Sequence, residues 1–221
     1  HFDLAYSIQK KYEEIFISII KNFKGSNENI CLSGGCALNC LANSHLLKYF
    51  KGIYVMPAAS DRGLSIGNAY AGAVKNNVNV KKLDDMFLGI NYSKKEILKS
   101  IKLTGVKYTV VNEYKSAAKD LKNKKIVAWF KGKSEFGPRA LGARSILALA
   151  NLKNIKKKLN SKVKFREKFR PFAPAILKEF SNEYFEENQL SNYMELALKF
   201  KKQVINKIPG VVHVDQTGRL Q

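Results

Sequence analysis

The densest chemistry in this chain lies in residues 131–145, Lys131-Gly132-Lys133-Ser134-Glu135-Phe136-Gly137-Pro138-Arg139-Ala140-Leu141-Gly142-Ala143-Arg144-Ser145. This run carries two lysines, two arginines and three glycines around one carboxylate. A second basic cluster, Lys164, Arg166, Lys168 and Arg170, leads into Pro171-Phe172-Ala173-Pro174. The chain has only six arginines, and four fall in these two segments. Arginine presents a rigid fork matched to phosphate and carboxylate oxygens, whereas lysine suffices for solvation. Lys133, Arg139, Arg144, Arg166 and Arg170 are therefore the candidate residues for gripping a multiply charged anion. Gly137-Pro138 fixes a turn suited to aiming Arg139 inward. The competing reading is a pair of structural arginine–carboxylate networks with Glu135 and Glu167.

Three weaker signals lie elsewhere. Ser33-Gly34-Gly35 follows a short apolar run and precedes a helical pattern, so backbone N–H groups there can approach an anion or nucleotide. The pattern is neither G-x-G-x-x-G nor a P-loop, and a tight packing turn is the plainer reading. Asn39, one turn on, is placed to hydrogen-bond a sugar or base. Asp61, between Ser60 and Gly63 after a second strand, suits a metal ligand, an orienter of a hydroxyl nucleophile, or a helix N-cap. Near the end, Val212 to Arg219 interleaves polar residues with valine, and His213 reads as a core or edge residue before a base. With three histidines, no Ser/His/Asp arrangement and no H-E-x-x-H, a self-contained hydrolase is not expected. Cys31, Cys36 and Cys40 match no common zinc spacing and read as small reduced core residues.

The elements that must position these residues follow from periodicity. Apolar residues at 5, 8, 12, 15, 16, 19, 20 and 23 predict an amphipathic helix over 2–23, ended by Gly25-Ser26-Asn27. Strands are expected at 29–32 and 52–56, each followed by a small-residue loop and a helix, the second helix over 64–75. The polar stretch 76–82 is the expected domain boundary. Beyond it the pattern predicts strands at 107–111, 125–130 and 146–150 and helices at 113–122 and 153–162. Strand and helix alternate throughout, so the fold class is α/β.

The composition sets the outer bounds. With 221 residues, 45% hydrophobic and 26% charged, the chain is globular rather than disordered or collagenous. No apolar run approaches the ~20 residues of a membrane-spanning helix, and no membrane partner is expected. The formal net charge is +21, unevenly spread: residues 1–80 hold eight basic and five acidic side chains, residues 81–221 hold 31 and 13. Such a balance suggests nucleic acid, but 33 of the 39 basic residues are lysine, consistent with a solvated surface. A nucleic-acid partner is therefore not favoured; an anionic ligand in the second half is. The start at His1 and the absence of a tail lead us to expect a fragment, and the lack of a signal peptide a cytoplasmic location.

In this order, Leu32-Ser33-Gly34-Gly35-Cys36-Ala37-Leu38-Asn39, Pro57 to Gly67, Glu135 to Ser145, Phe165 to Pro174 and His213 to Gln221 resemble the NodU/CmcH family of O-carbamoyltransferases, over nearly the whole chain. The resemblance implies that residues 1–80 are the end of an actin-like ATPase (ASKHA) carbamoyl-transfer domain and that 81–221 are most of a YrdC-like α/β domain, its C-terminal tail missing. It implies an enzyme in which ATP and carbamoyl phosphate form carbamoyl-adenylate, and the carbamoyl group passes to an acceptor hydroxyl, with a divalent metal, iron, as a further cofactor. Lys133, Arg139, Arg166 and Arg170 would be catalytic and would hold carbamoyl phosphate and the adenylate phosphate, with Arg144, Thr217 and Arg219 also binding substrate. Gly34, Gly35 and Asn39 would line the nucleotide site, and Asp61 would be a metal ligand. The sequence departs from the family in three ways: the upstream histidine pair that supplies metal ligands is absent, Leu149-Ala150-Asn151 replaces an Asp-Pro-Arg, and Gln216 replaces a small glycine. The resemblance thus implies a chain impaired in the complete transfer. A tRNA-modifying module is the alternative, since both domains are kin to tRNA-modification proteins, and a homodimer is left open.

Overall fold

The computed structural model describes residues 1–25 and 28–221; Ser26 and Asn27 of the expected helix-ending turn lie outside the described residues. The chain forms two units. The first takes His1–Lys81 together with Ala173–Lys202 and His213–Gln221; the second takes Lys82–Phe172 and Gln203–Val212. Two late segments thus return to the first unit, and Thr217 and Arg219 lie there with Gly34, Asn39 and Asp61.

The first unit opens with α1, Phe2–Lys21, with Asp3 in its first turn and Lys21 in its last, each complementing the helix dipole. Strand β1, Asn29–Leu32, pairs in parallel with β2, Gly52–Val55, with Asn29 opposite Gly52. Between them the chain coils through a 3-10 turn at Gly35–Leu38, the short helix α2 at Cys40–Ser44 and a second 3-10 turn at His45–Lys48. Ile20, Leu32, Ala37, Leu46, Phe50, Val55 and Ala59 close the core under this crossover. Leu46 is wholly buried, which stabilises by about 2 kcal/mol on transfer grounds alone. After β2 a 3-10 turn at Asp61–Gly63 leads into α3, Leu64–Lys75.

The second unit begins at a loop and α4, Lys94–Thr104. Ser93 and Glu96 form a reciprocal capping box at its start, and Gly105 ends it in the left-handed conformation. Helix α5, Glu113–Lys122, is capped by Asn112. Strands β3, Val127–Phe130, and β4, Arg144–Leu147, pair antiparallel with Phe130 opposite Arg144. Helix α6, Ile155–Lys162, buries Ile155, Leu159 and Asn160. The segment Met86–Gly89 runs beside Ser134–Phe136, with Phe136 N–H donating to Met86 and Gly89 N–H to Ser134 at 2.7 and 3.0 Å. A Cβ on Gly89 would meet the Ser134 hydroxyl, so only glycine allows this approach.

In the first unit's returning segment, helix α7, Ser181–Tyr184, precedes β5, Ala197–Lys199, which pairs antiparallel with β6, Thr217–Arg219. Phe185 stacks on Phe200 at 4.6 Å.

Three expectations are corrected. Residues 107–111 form no strand: their side chains are exposed, and the β-branched run Thr109-Val110-Val111 without a partner strand or a core beneath it has nothing to hold it extended. Cys31 and Cys36 are exposed and Cys40 half-buried, so the cysteines are not core residues; Cys31 sits on the outward face of β1, and Cys36 in the open turn after Gly35. The strand-like run 212–219 is strand only at Thr217–Arg219, because a turn at His213–Gln216 precedes it. Among the described residues no helix is long and apolar enough to cross a membrane.

Candidate active site

The basic loop is tied off at its base by the β3–β4 pair and by Lys131 N–H donating to Ala143 at 3.0 Å. One oxygen of Glu135 accepts the backbone N–H groups of Leu141, Ala143 and Arg144 at 2.8, 2.7 and 3.1 Å. Positive φ at Gly137 and Gly142 lets the chain curl around the carboxylate. Burial pushes the Glu135 carboxyl up; its own backbone N–H and those three donors outweigh this and hold it below its ordinary value. Glu135 is therefore the hub of the loop's backbone, not the partner of an arginine.

Arg144 braces the same loop. Its guanidinium donates to the carbonyls of Lys131, Ala143 and Gly132 at 3.1, 2.9 and 3.0 Å and lies over the Phe130 ring at 3.5 Å. Lys133 is exposed and Arg139 half-buried on the intervening chain. Lys131 pairs instead with Glu113 at 2.6 Å and lies over the Tyr114 ring.

The second cluster is organised by an amide. Asn160, fully buried at the end of α6, donates to the carbonyls of Lys168 and Arg170 at 3.2 and 2.9 Å and accepts from Arg166 Nε at 2.8 Å. Arg166 also lies over the Phe172 ring at 4.8 Å. Burial, then repulsion from Arg170, push the Arg166 guanidinium down. Arg170 pairs with Glu167 at 2.9 Å. The structure thus brings Arg166 and Arg170 together. Sequence reasoning missed Asn160; no motif marks an asparagine that organises a turn six to ten residues downstream.

In the first unit Gly34 has φ +92° and opens the 3-10 turn, where a Cβ on Gly34 or Gly35 would meet only open space. Asn39 caps α2, accepting from Ala42 N–H at 3.2 Å, and exchanges two hydrogen bonds with Gln9 of α1 at 3.0 and 3.2 Å. Behind Gln9 sits Glu13, 6% exposed, which accepts from Gln9 at 2.8 Å and Lys10 at 3.0 Å and meets His45 at 3.2 Å. Burial pushes Glu13 up, but these partners hold its carboxyl below the ordinary value.

Asp61 is exposed at the start of its 3-10 turn. Among the described residues no three His, Cys, Asp or Glu side chains come together. Thr217 is buried and half-buried Arg219 is its neighbour on β6. Thr217 Oγ1 donates to Asp215 at 2.8 Å and lies 3.2 Å from His213 Nδ1. Gln216 holds φ +63° between them, a conformation that glycine adopts without cost; this is why a small residue suits that position.

Known proteins share these segments. Residues 1–70 match the carbamoyltransferase N-terminus family model and residues 118–221 the carbamoyltransferase C-terminus model. The chain belongs to the carbamoyltransferase family. An uncharacterized protein of Synechocystis sp. is 34% identical over 99% of this chain and 41% of its own length. Nodulation protein NolO of Bradyrhizobium diazoefficiens is 33% identical over 100% and 43%, and nodulation protein U of Azorhizobium caulinodans 34% over 90% and 34%. The chain spans less than half the length of these relatives. The mixed α/β architecture with small sheets is consistent with the family's two domains.

Proposed function

We propose that this chain carries the carbamoyl-adenylate-forming part of an O-carbamoyltransferase, its second half YrdC-like and residues 1–80 the end of an actin-like transfer domain. Carbamoyl phosphate and ATP are both polyanions, and preorganised cations stabilise charge on a transferring phosphoryl group. In this reading water releases phosphate from carbamoyl phosphate to leave carbamate. A carbamate oxygen then attacks the α-phosphorus of ATP and expels pyrophosphate. An acceptor hydroxyl finally takes the carbamoyl carbon, losing its proton and releasing AMP.

Lys133, Arg139, Arg166 and Arg170 would hold the phosphate oxygens, and Arg144 would keep the loop in shape for them. Thr217 and Arg219 would add substrate contacts, and Gly34, Gly35 and Asn39 would line the nucleotide site of the transfer step. Asp61 would be one ligand of a divalent metal, as the resemblance implies; among the described residues it belongs to no group of three such donors.

One observation carries the reading. The only acid among the four bases of residues 131–145 is Glu135, and its bonded oxygen is taken by three backbone N–H groups. The loop's carboxylate is committed to shaping the loop. Equilibrium binding of carbamoyl phosphate and ATP to the Arg139→Ala variant tests it. The expected outcome is a loss of about tenfold or more in affinity, as for one charge-assisted contact, at an unchanged melting temperature. Unfolding of the variant, or unchanged affinity for both ligands, would contradict a binding role.

A further inference from the structure

Helix α1 touches the glycine turn of the first unit at two points. Gln9 meets Asn39 through two hydrogen bonds, and Tyr12 Oη donates to the Cys36 carbonyl at 3.1 Å. The Gln9–Asn39 contact is also polarised. Ionised Glu13 only accepts, so the Gln9 amide must turn its NH2 towards Glu13 Oε1. The Gln9 carbonyl oxygen then faces Asn39, which must answer with its own NH2. Asn39 Oδ1 is filled by the N–H groups of Gln9 and Ala42. What remains to Asn39 is the second hydrogen of Nδ2.

We infer that Gln9 and Glu13 are positioning residues for the nucleotide turn: together with the Ala42 N–H that already holds Asn39 Oδ1, two amides in series lock Asn39 Nδ2 in place as a hydrogen-bond donor, selecting an acceptor atom of the ligand, a phosphate or sugar oxygen. The inference rests on the reading of Gly34, Gly35 and Asn39 as a nucleotide site. A helix packed there for stability alone would need neither the buried carboxylate nor a fixed amide polarity. Lys10 and His45 complete the shell around Glu13 and keep it ionised.

The test is a double-mutant cycle on ATP affinity, measured calorimetrically on the whole protein with Arg139→Ala present throughout to remove the ATP site of the basic loops, using Gln9→Ala, Asn39→Ala and the pair, and with Glu13→Gln as a milder variant. Gln9→Ala should weaken ATP binding about fivefold, the worth of one oriented neutral hydrogen bond, and should add nothing in the Asn39→Ala background. Glu13→Gln, which lets the Gln9 amide turn either way, should give a smaller loss that also vanishes without Asn39. Additive losses, or full affinity in Gln9→Ala while Asn39→Ala is impaired, would overturn the positioning role alone. Full ATP affinity in Asn39→Ala would overturn the nucleotide reading and this inference with it. Protection of the Asn39 side-chain NH2 from hydrogen exchange, lost in Gln9→Ala, is a readout that a general loss of stability would not confine to this group; its retention counts against the inference.

Discussion

The two arginine-bearing loops of the second unit are built around opposite anchors. In residues 131–145 the hub is a carboxylate, Glu135, bound to three backbone N–H groups. In residues 160–170 the hub is a neutral amide, Asn160, bound to two carbonyls and one guanidinium nitrogen. The difference follows from what each loop presents to its centre. A loop curling with its N–H groups inward needs an acceptor with several lone pairs, which a carboxylate supplies. A turn presenting two carbonyls and an arginine together needs two donors and an acceptor in one side chain, which an amide supplies. Neither anchor is a surface ion pair, and both fix backbone rather than neutralise arginines.

That contrast can be broken at either hub. Asn160→Ala should cost the most, about 3 kcal/mol, because it empties a buried site and strands the carbonyls of Lys168 and Arg170 and Arg166 Nε; chemical denaturation measures it, and a cost below about 1 kcal/mol would show the turn is held elsewhere. The exposed Glu167–Arg170 pair beside it should matter far less: Glu167→Gln should cost under about 1 kcal/mol. Glu135→Gln comes between, at about 1–2 kcal/mol for weakened charge-assisted bonds.

Glu135 also predicts a pH signature. Its carboxyl is held below the ordinary value in the folded protein, so its contribution is complete above the unfolded carboxyl's pKa. It is lost as pH falls through the lower folded value. Glu135→Gln should flatten that acid limb of the stability curve, whereas Asn160→Ala should lower the curve without changing its shape. A parallel shift for both variants would erase the distinction between the loops.

The legible parts of this molecule were those where one segment carries its own signal. The strand–loop–helix succession of residues 29–75 appears with β1, β2 and α3 at their expected places, since apolar spacing and glycine breaks act locally. Helix α4 was missed although Ser93 and Glu96 spell its capping box. The run 107–111 misleads because β-branched residues do not reveal whether a partner strand exists. The basic segments were conspicuous from arginine usage alone. The hubs that shape them were not: Asn160 and Gln9 act on residues six to thirty positions away through side-chain geometry, and a lone amide carries no pattern. Glu135 was seen, but as an arginine partner; nothing in its spacing says that it faces backbone.

The central claim is that the basic loops form a carbamoyl-adenylate site, and pyrophosphate exchange tests it most directly. Radiolabelled pyrophosphate should enter ATP only when carbamoyl phosphate is present, and the exchange should disappear in Arg139→Ala while the melting temperature stays unchanged. Exchange that ignores carbamoyl phosphate, or that survives loss of Arg139, would contradict the account.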